Sequence, residues 1–180
     1  YSEQIADILG NIRETMPPLR GIIHAAGVVN DGLLVNQTDT QFEQVLGPKV
    51  QGAWHLHSLT QDTPLEFFVM FSAGAALLGS SGQGNYAAAN AFLDGLTHYR
   101  RAQGLTALSI NWGAWADVGM AAALGEQQQQ RLSAQGIGTI IPSQGVKVLQ
   151  QLIEQDSIQT AVLPINWAKL GQQFANGIVP

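Results

Sequence analysis

The sequence predicts an α/β fold in which a parallel sheet carries helices on both of its faces. Segments that are apolar throughout alternate along the chain with segments of helical periodicity. A strand that is apolar on both sides needs cover on both sides, which is typical of parallel sheets packed between helices. With 180 residues, of which 46% are hydrophobic, the chain is long enough to form one domain with a sizeable core.

The helices are predicted from apolar spacing and from signals at their ends. The first covers residues 2–15, where apolar residues share one helical face and Pro17 follows the end. Thr38 and Asp39 are expected to cap a second helix, in which Pro48 marks a break or a fresh first turn. Three later helices are predicted at residues 86–103, 121–135 and 142–154.

Four strands separate these helices, and the loops that follow three of them are rich in small and polar residues. The strands are predicted at residues 19–24, 65–71, 105–111 and 160–165. The loops are residues 24–37, 72–84 and 111–120. Because open parallel sheets bind ligands beyond the carboxyl ends of their strands, we expect the three loops to face one site.

The composition excludes several functional classes. Charged residues are only 12% and the net charge is −5, so a basic nucleic-acid surface is not expected. The absence of cysteine excludes disulfides and thiolate metal sites, fits a reducing compartment and leads us to expect a cytoplasmic protein. No run of 18 apolar residues predicts a membrane span, no metal site is expected, and a start without methionine suggests a piece of a longer chain.

Tyr86 and Asn90 provide the first indication of chemistry. Their spacing of four places both side chains on one helical face. A tyrosine at a helix N-terminus can donate a proton if its pKa is lowered, and an ammonium group such as that of Lys49 would lower it further. Taken alone, the pattern fits a partly buried structural tyrosine better than a catalytic one.

Four ordered segments resemble the ketoreductase domains of modular polyketide synthases, which belong to the short-chain dehydrogenase/reductase superfamily. They read PLRGIIHAAG at residues 18–27, PKVQGAW at 48–54, GSSGQGNYAAANAFLD at 79–94 and SINWGAW at 109–115. The resemblance covers residues 1–168 and implies the C-terminal, catalytic part of a Rossmann-like fold, with residues 169–180 as a linker. The family's glycine-rich phosphate loop is absent, which implies that a missing N-terminal half completes the domain beside an open edge of strand 19–24.

The resemblance assigns a role to each catalytic position. Tyr86 matches the general acid that protonates the substrate carbonyl oxygen, and Lys49 matches the lysine that lowers the tyrosine pKa and contacts the nicotinamide ribose. Asn90 matches the asparagine of the active-site network, with lysine and asparagine exchanged relative to most of the superfamily. Ala73 stands where the family has its catalytic serine. Ser72 is one residue away, and strand alternation should point it elsewhere.

The resemblance also implies a cofactor site for NADPH and a substrate mouth. The cofactor-binding positions are His24, Ala25, Ala26, Gly27, Lys49, Phe71, Tyr86, Asn111, Trp112 and Gly113. The substrate and stereocontrol positions are Asp31, Leu78, Gln83 and Met120. The aspartate kept at position 31 and the leucine at 78 favour a B-type domain, which forms D-configured hydroxyl products. Helix 121–135 is expected to act as a lid over the acyl chain.

The leading hypothesis is therefore NADPH-dependent reduction of a β-ketoacyl thioester carried by an acyl carrier protein, weakened by the alanine at position 73. Expected partners are that carrier-bound thioester, the missing half of the domain and neighbouring synthase domains, without nucleic acid or membrane. Two alternatives stay open. One is a non-catalytic ketoreductase remnant that scaffolds a synthase. The other is a generic dehydrogenase of free small molecules.

Overall fold

The parallel sheet is present, and its four strands neighbour one another in chain order. The computed structural model describes residues 2–116, 133–134 and 136–175 and places the strands in the order β1-β2-β3-β4. They are β1 (Gly21–His24), β2 (Phe67–Ala73), β3 (Leu108–Trp112) and β4 (Gln159–Val162). All three pairings are parallel, with Ala73 opposite Trp112 at the carboxyl end. The four predicted strands are confirmed, and their ends differ from expectation by up to three residues.

Seven α-helices accompany the sheet in the described part of the chain. They are α1 (Ser2–Thr15), α2 (Asp39–Leu46), α3 (Gly52–Leu59), α4 (Ala75–Leu78), α5 (Gly84–Ala102), α6 (Pro142–Glu154) and α7 (Trp167–Ala175). A short 3-10 turn, Leu34–Asn36, lies in the loop after β1. Apart from residues 133 and 134, the predicted helix at 121–135 lies outside the described residues. None of the described helices has the length and apolar character needed to cross a membrane.

The break expected at Pro48 is a π-helical turn between α2 and α3. The turn spans Gly47–Gln51, with Pro48 in its first positions, where a missing backbone N–H costs little. Thr38 caps α2 as expected, since its side chain accepts from the backbone N–H of Gln41 and the Gln41 side chain accepts from the backbone N–H of Thr38. π-turns are rare and occur often at functional sites, and this one carries Lys49.

The sheet is buried on both faces, as the apolar strands predict. Phe68 and Met70 of β2 pack with Leu93 and Leu96 of α5 on one face. Between them in the strand, Val69 belongs to the cluster on the opposite face, where α6 packs. The alternation of β2 side chains therefore joins two helical layers through one strand.

The C-terminal segment differs from expectation in its local structure. Helix α7 occupies Trp167–Ala175, where we expected an irregular linker from residue 169. Asn166 explains the helical start, because its side chain accepts a hydrogen bond from the backbone N–H of Lys169 at 3.1 Å. The domain boundary at residue 168 stays a prediction.

Candidate active site

The carboxyl ends of the strands bring the expected loops to one edge of the sheet. His24 ends β1, Ala73 ends β2 and Trp112 ends β3. The loop after β1 reaches the start of α5, since the backbone N–H of Gly32 donates to the carbonyl of Gly82 at 2.8 Å. Residues from distant parts of the chain therefore meet around the N-terminus of α5.

Lys49 is buried at the centre of this edge, with an exposed fraction of only 2%. Its ammonium Nζ donates to the carbonyl oxygen of Phe71 at 2.9 Å and lies 5.5 Å from the centroid of the Tyr86 ring. Burial lowers the Lys49 pKa to about 8, and the negative charge of Asp94 opposes that shift. A β-carbon on Gly27 would lie 2.8 Å from Lys49 Cε, so glycine there leaves room for the lysine.

Tyr86 lies in the first turn of α5 and is buried beside Lys49. The preceding Asn85 fixes the turn, because its Oδ1 accepts from the backbone N–H of Tyr86 and its Nδ2 donates to the carbonyl of Asn30. We expected the helix N-terminus and Lys49 to lower the Tyr86 pKa. Instead, burial raises the pKa of the phenol, and the negative charge of Asp31 acts in the same direction. Tyr86 is therefore a protonated phenol at neutral pH.

Asn90 shares the face of Tyr86, as the spacing of four predicts. Its Nδ2 donates to the carbonyl of Tyr86 at 2.7 Å, while its buried Oδ1 has no partner among the described residues. Buried acceptors are rarely left without a donor. The free Oδ1 therefore fits a group that binds beside Tyr86.

Position 73 faces the site, although it carries no hydroxyl. Ala73 is 8% exposed and belongs to the apolar cluster that includes Val45, Tyr86 and Ala89. Ser72 points elsewhere, as strand alternation predicts: its Oγ donates to the carbonyl of Asn90 at 3.2 Å and accepts from Asn111 Nδ2. Ser72 therefore cannot supply a hydroxyl at the position of residue 73.

The expected cofactor residues fall into two groups. His24 and Trp112 are buried, and His24 Nε2 and Trp112 Nε1 lack partners within the described residues. Burial lowers the pKa of His24, and Lys49 lowers it further, so the ring is neutral at pH 7. By contrast, the Asn111 side chain is fully buried in internal hydrogen bonds, and the Gly113 N–H donates to the carbonyl of Val162. Any cofactor contact of Asn111 must come from its backbone.

Two residues of the expected substrate mouth are joined by a hydrogen bond. Gln83 Nε2 donates to both carboxylate oxygens of Asp31, at 3.1 and 3.3 Å. Leu78 is exposed at the end of α4, and Met120 lies outside the described residues. Ala25 and Ala26 are exposed directly after β1. No group of three or more metal-ligating side chains occurs in the described ranges.

Sequence reasoning missed two residues that hold this site, Asn85 and Asp94. Asp94 lies four residues after Asn90, and the same spacing that links Tyr86 to Asn90 would have extended the face to it. A second signal was available in β3, where Ser109 and Asn111 alternate with apolar residues in a buried strand. Polar residues at period two mark one face of the strand as polar, and that face meets α5.

Comparisons with known proteins identify the family of this chain. A family model described as "KR domain" matches residues 1–117. A mycocerosic acid synthase-like polyketide synthase of Mycobacterium tuberculosis is 46% identical over 148 residues, which are 82% of this chain and 7% of that protein. The chain belongs to the ketoreductase domains of modular polyketide synthases. The predicted family is thereby confirmed.

Two further relatives define how much of a ketoreductase this chain covers. A solved structure of an A-type ketoreductase from a modular polyketide synthase has a TM-score of 0.87 and 37% identity, over 97% of this chain and 37% of that chain. A protein of Mycobacterium tuberculosis, named as a putative inactive phenolphthiocerol synthesis polyketide synthase, is 37% identical over 98% of this chain and 11% of its own length. The ketoreductase chain thus spans about a tenth or less of these curated relatives and somewhat over a third of the solved structure.

Proposed function

We propose that this chain forms the catalytic part of a ketoreductase that reduces a β-ketoacyl thioester on an acyl carrier protein to the β-hydroxyacyl thioester, with NADPH. One observation carries the proposal: Lys49 Nζ lies 5.5 Å from the ring centroid of Tyr86, in a buried position beside Asn90. The site lies at the carboxyl edge of a parallel sheet, where such folds bind ligands.

The chemistry assigned to Tyr86 is proton donation to the carbonyl oxygen. Its raised pKa keeps a proton on Oη until negative charge develops on the substrate oxygen, which then becomes the stronger base. NADPH, when bound, supplies the hydride that forms the new C–H bond at the carbonyl carbon. The carbonyl π bond breaks, and the Tyr86 proton completes the hydroxyl. The ammonium of Lys49 stabilises the phenolate that remains.

The residues around Lys49 fit the nicotinamide end of such a cofactor. The unpartnered His24 Nε2 and Asn90 Oδ1 are buried polar atoms at the carboxyl edge of the sheet. Gly27 carries no side chain where it contacts Lys49, and Trp112 packs in the apolar cluster on the other face of the sheet. We assign His24, Gly27 and Asn90 to the cofactor, with Phe71, Asn111 and Gly113 contributing through the backbone. The choice of NADPH over NADH rests on the family.

We propose B-type stereochemistry, giving a D-configured hydroxyl. Asp31 supports this assignment because it lies at the mouth and is held by Gln83. A held carboxylate beside Tyr86 can restrict which face of the ketone meets the cofactor. Chiral analysis of the product decides the point: a D-hydroxyl is expected, and an L-hydroxyl would refute the assignment.

The partners proposed are the carrier-bound thioester and the neighbouring domains of a synthase, working in the cytoplasm. The curated relatives support this, since each is a far longer polyketide synthase. The decisive experiment follows cofactor oxidation by the full encoded protein, in its natural form and with Ala73→Ser, on a β-ketoacyl thioester with NADPH or NADH. Turnover with NADPH is expected for the Ala73→Ser form. No turnover in either form would refute the proposal.

One observation favours a second candidate, a ketoreductase remnant that only scaffolds a synthase. Ala73 leaves the site without the expected hydroxyl, and one relative is itself named as putative inactive. The two functions differ in the effect of Tyr86→Phe on the product of the whole protein. A scaffold tolerates that change, whereas a reductase loses the hydroxyl from its product.

A further inference from the structure

Asp94 is a buried acid whose hydrogen bonds have no role in the proposed mechanism. It lies on α5, about two helical turns beyond Tyr86, and is 8% exposed. Ser109 Oγ donates to Asp94 Oδ1 at 2.5 Å, and Asn111 Nδ2 donates to Oδ2 at 2.8 Å. Neither ion pair among the described residues involves Asp94. Burying a carboxylate without a paired cation is costly, so its presence under the site calls for a physical reason.

A series of hydrogen bonds connects Asp94 to Asn90, and a separate bond connects the Asn90 side chain to the main chain of Tyr86. Asn111 Nδ2 donates to Ser72 Oγ at 2.9 Å, and Ser72 Oγ donates to the carbonyl of Asn90 at 3.2 Å. Asn90 Nδ2 then donates to the carbonyl of Tyr86 at 2.7 Å. We call Asp94, Asn111, Ser72 and Asn90 the polar clamp. Each of its four side chains is buried.

A residue of β4 fixes the orientation of the Asn111 side-chain amide, which lies at the centre of the polar clamp. Gln159 of β4 donates from Nε2 to Asn111 Oδ1 at 3.0 Å. The oxygen of Asn111 is therefore an acceptor and its nitrogen the donor to both Ser72 and Asp94. Only an acceptor at position 94 suits that nitrogen, which explains an acid or amide there.

The polar clamp lies beside apolar packing on the same helix. Leu93, which lies between Asn90 and Asp94 in the sequence, and Leu96 pack against Phe68 and Met70. Apolar contacts are non-directional, whereas hydrogen bonds fix distance and angle. The directional contacts of the polar clamp are therefore made at Asn90 and Asp94, and they hold the part of α5 that follows Tyr86.

We propose that Asp94 is a positioning residue, which acts through Asn111 and Ser72 to lock the Tyr86–Asn90 turn of α5 onto strands β2 and β3. The catalytic consequence rests on the proposed function, but the structural consequence does not. A shift of about 1 Å in a catalytic group can cost about a hundredfold in rate, so a clamp of this kind has a measurable effect.

Two substitutions at position 94 separate the clamp from simple space filling. Asp94→Asn keeps the clamp, since its Oδ1 can accept from Asn111 while its Nδ2 donates to Ser109 Oγ. Asp94→Leu has a similar volume and makes neither bond. Ser72→Ala removes the bond to Asn90 without touching position 94, in case the leucine variant does not fold. Asp156→Asn, at an exposed acid, is the matched control.

The readout is hydrogen–deuterium exchange of residues 86–94 in the full encoded protein, with residues 142–154 of α6 as the internal reference. We expect about tenfold faster exchange at 86–94 for Asp94→Leu and Ser72→Ala, with Asp94→Asn and Asp156→Asn near the parent. In the Ala73→Ser background, Asp94→Leu should lower kcat about tenfold or more with little change in KM.

The outcomes separate this inference from the proposed function. Faster exchange in Asp94→Leu and Ser72→Ala supports the clamp even if no form of the protein reduces a thioester. Unchanged exchange at 86–94 in both variants would overturn it, even if reduction proceeds. Equal loss of protection in Asp94→Asn and Asp94→Leu would also overturn it, because the asparagine variant keeps both hydrogen bonds.

Discussion

Replacing Ala73 by serine adds one hydroxyl at the carboxyl end of β2, in the cluster that includes Tyr86. The hydroxyl can donate to the substrate carbonyl oxygen at the moment when Tyr86 transfers its proton. Removal of one such donor from an enzyme typically costs about 10²–10³ in kcat, or about 2.7–4 kcal/mol. Because position 73 is only 8% exposed, water screens the new donor weakly. We therefore expect a gain near the upper end of that range.

The same burial means that the new hydroxyl should lower the stability of the folded protein. Without substrate, the new hydroxyl lacks an assigned partner, and an unsatisfied buried hydroxyl costs about 1–3 kcal/mol. We expect a slightly lower melting temperature together with the higher rate. A change that raises activity while lowering stability separates a catalytic effect from a general improvement in folding.

The assay follows NADPH oxidation on a β-ketoacyl thioester under single-turnover and steady-state conditions. Ala75→Ser is the matched control, because it adds the same hydroxyl to a partly buried residue beside the same cluster, away from the strand end. Only Ala73→Ser should accelerate the reaction, and the gain should appear in kcat. Equal rates for the parent and Ala73→Ser would show that a hydroxyl at position 73 does not assist the reaction.

Three further expectations follow from the same geometry. Burial lowers the Lys49 pKa to about 8, so kcat/KM should fall as pH rises through that value. Asp94→Asn removes the charge that raises the Lys49 pKa, so it should move this fall in kcat/KM to lower pH. An unchanged pH profile in Asp94→Asn would contradict this expectation. Gly27→Ala places a β-carbon 2.8 Å from Lys49 Cε and should lower kcat by about tenfold or more, whereas Gly95→Ala, with open space around its α-carbon, should not. Burial and Arg100, which donates to Nδ1, lower the pKa of His57. Below pH 6.5 the unfolded chain therefore binds a proton that the folded chain does not bind, and the folded state loses stability as pH is lowered. Thermal melts should show this loss, and the loss should be smaller in His57→Asn.

The architecture was predictable because the apolar pattern and the residues that begin or end helices act locally. Residues 142–154 are helical as predicted, with Pro142 in the first turn, and the continuous apolar run of β2 required cover on both faces. The break at Pro48 was predictable as well, but its π-helical form was not. Whether the turn after a proline forms α-helical or π-helical hydrogen bonds depends on packing against other elements. The sequence of the turn itself does not determine that packing.

The site was predictable in its residues and less so in its electrostatics. Helical spacing and the family motifs placed Tyr86, Asn90 and Lys49 together, and the structure has them adjacent. The sequence analysis predicted a lowered Tyr86 pKa, which was wrong because burial raises it. The depth of burial depends on the assembled fold and cannot be inferred from the residues next to Tyr86 in the sequence. Asn111 was expected at the cofactor from the family motif, and its place there stays a prediction. The motif did not indicate that its side chain bonds Ser72 and Asp94 from two other elements.

Tyr86 is proposed to donate the proton in a ketoreduction, and replacing its hydroxyl tests that role. Tyr86→Phe in the Ala73→Ser background removes a single oxygen and retains the buried ring. General acid catalysis contributes about 10²–10⁴ in rate, so we expect kcat for thioester reduction to fall by that factor, while NADPH binding followed by fluorescence stays near the parent value. Reduction by Tyr86→Phe at an undiminished rate would show that Tyr86 is not the proton donor.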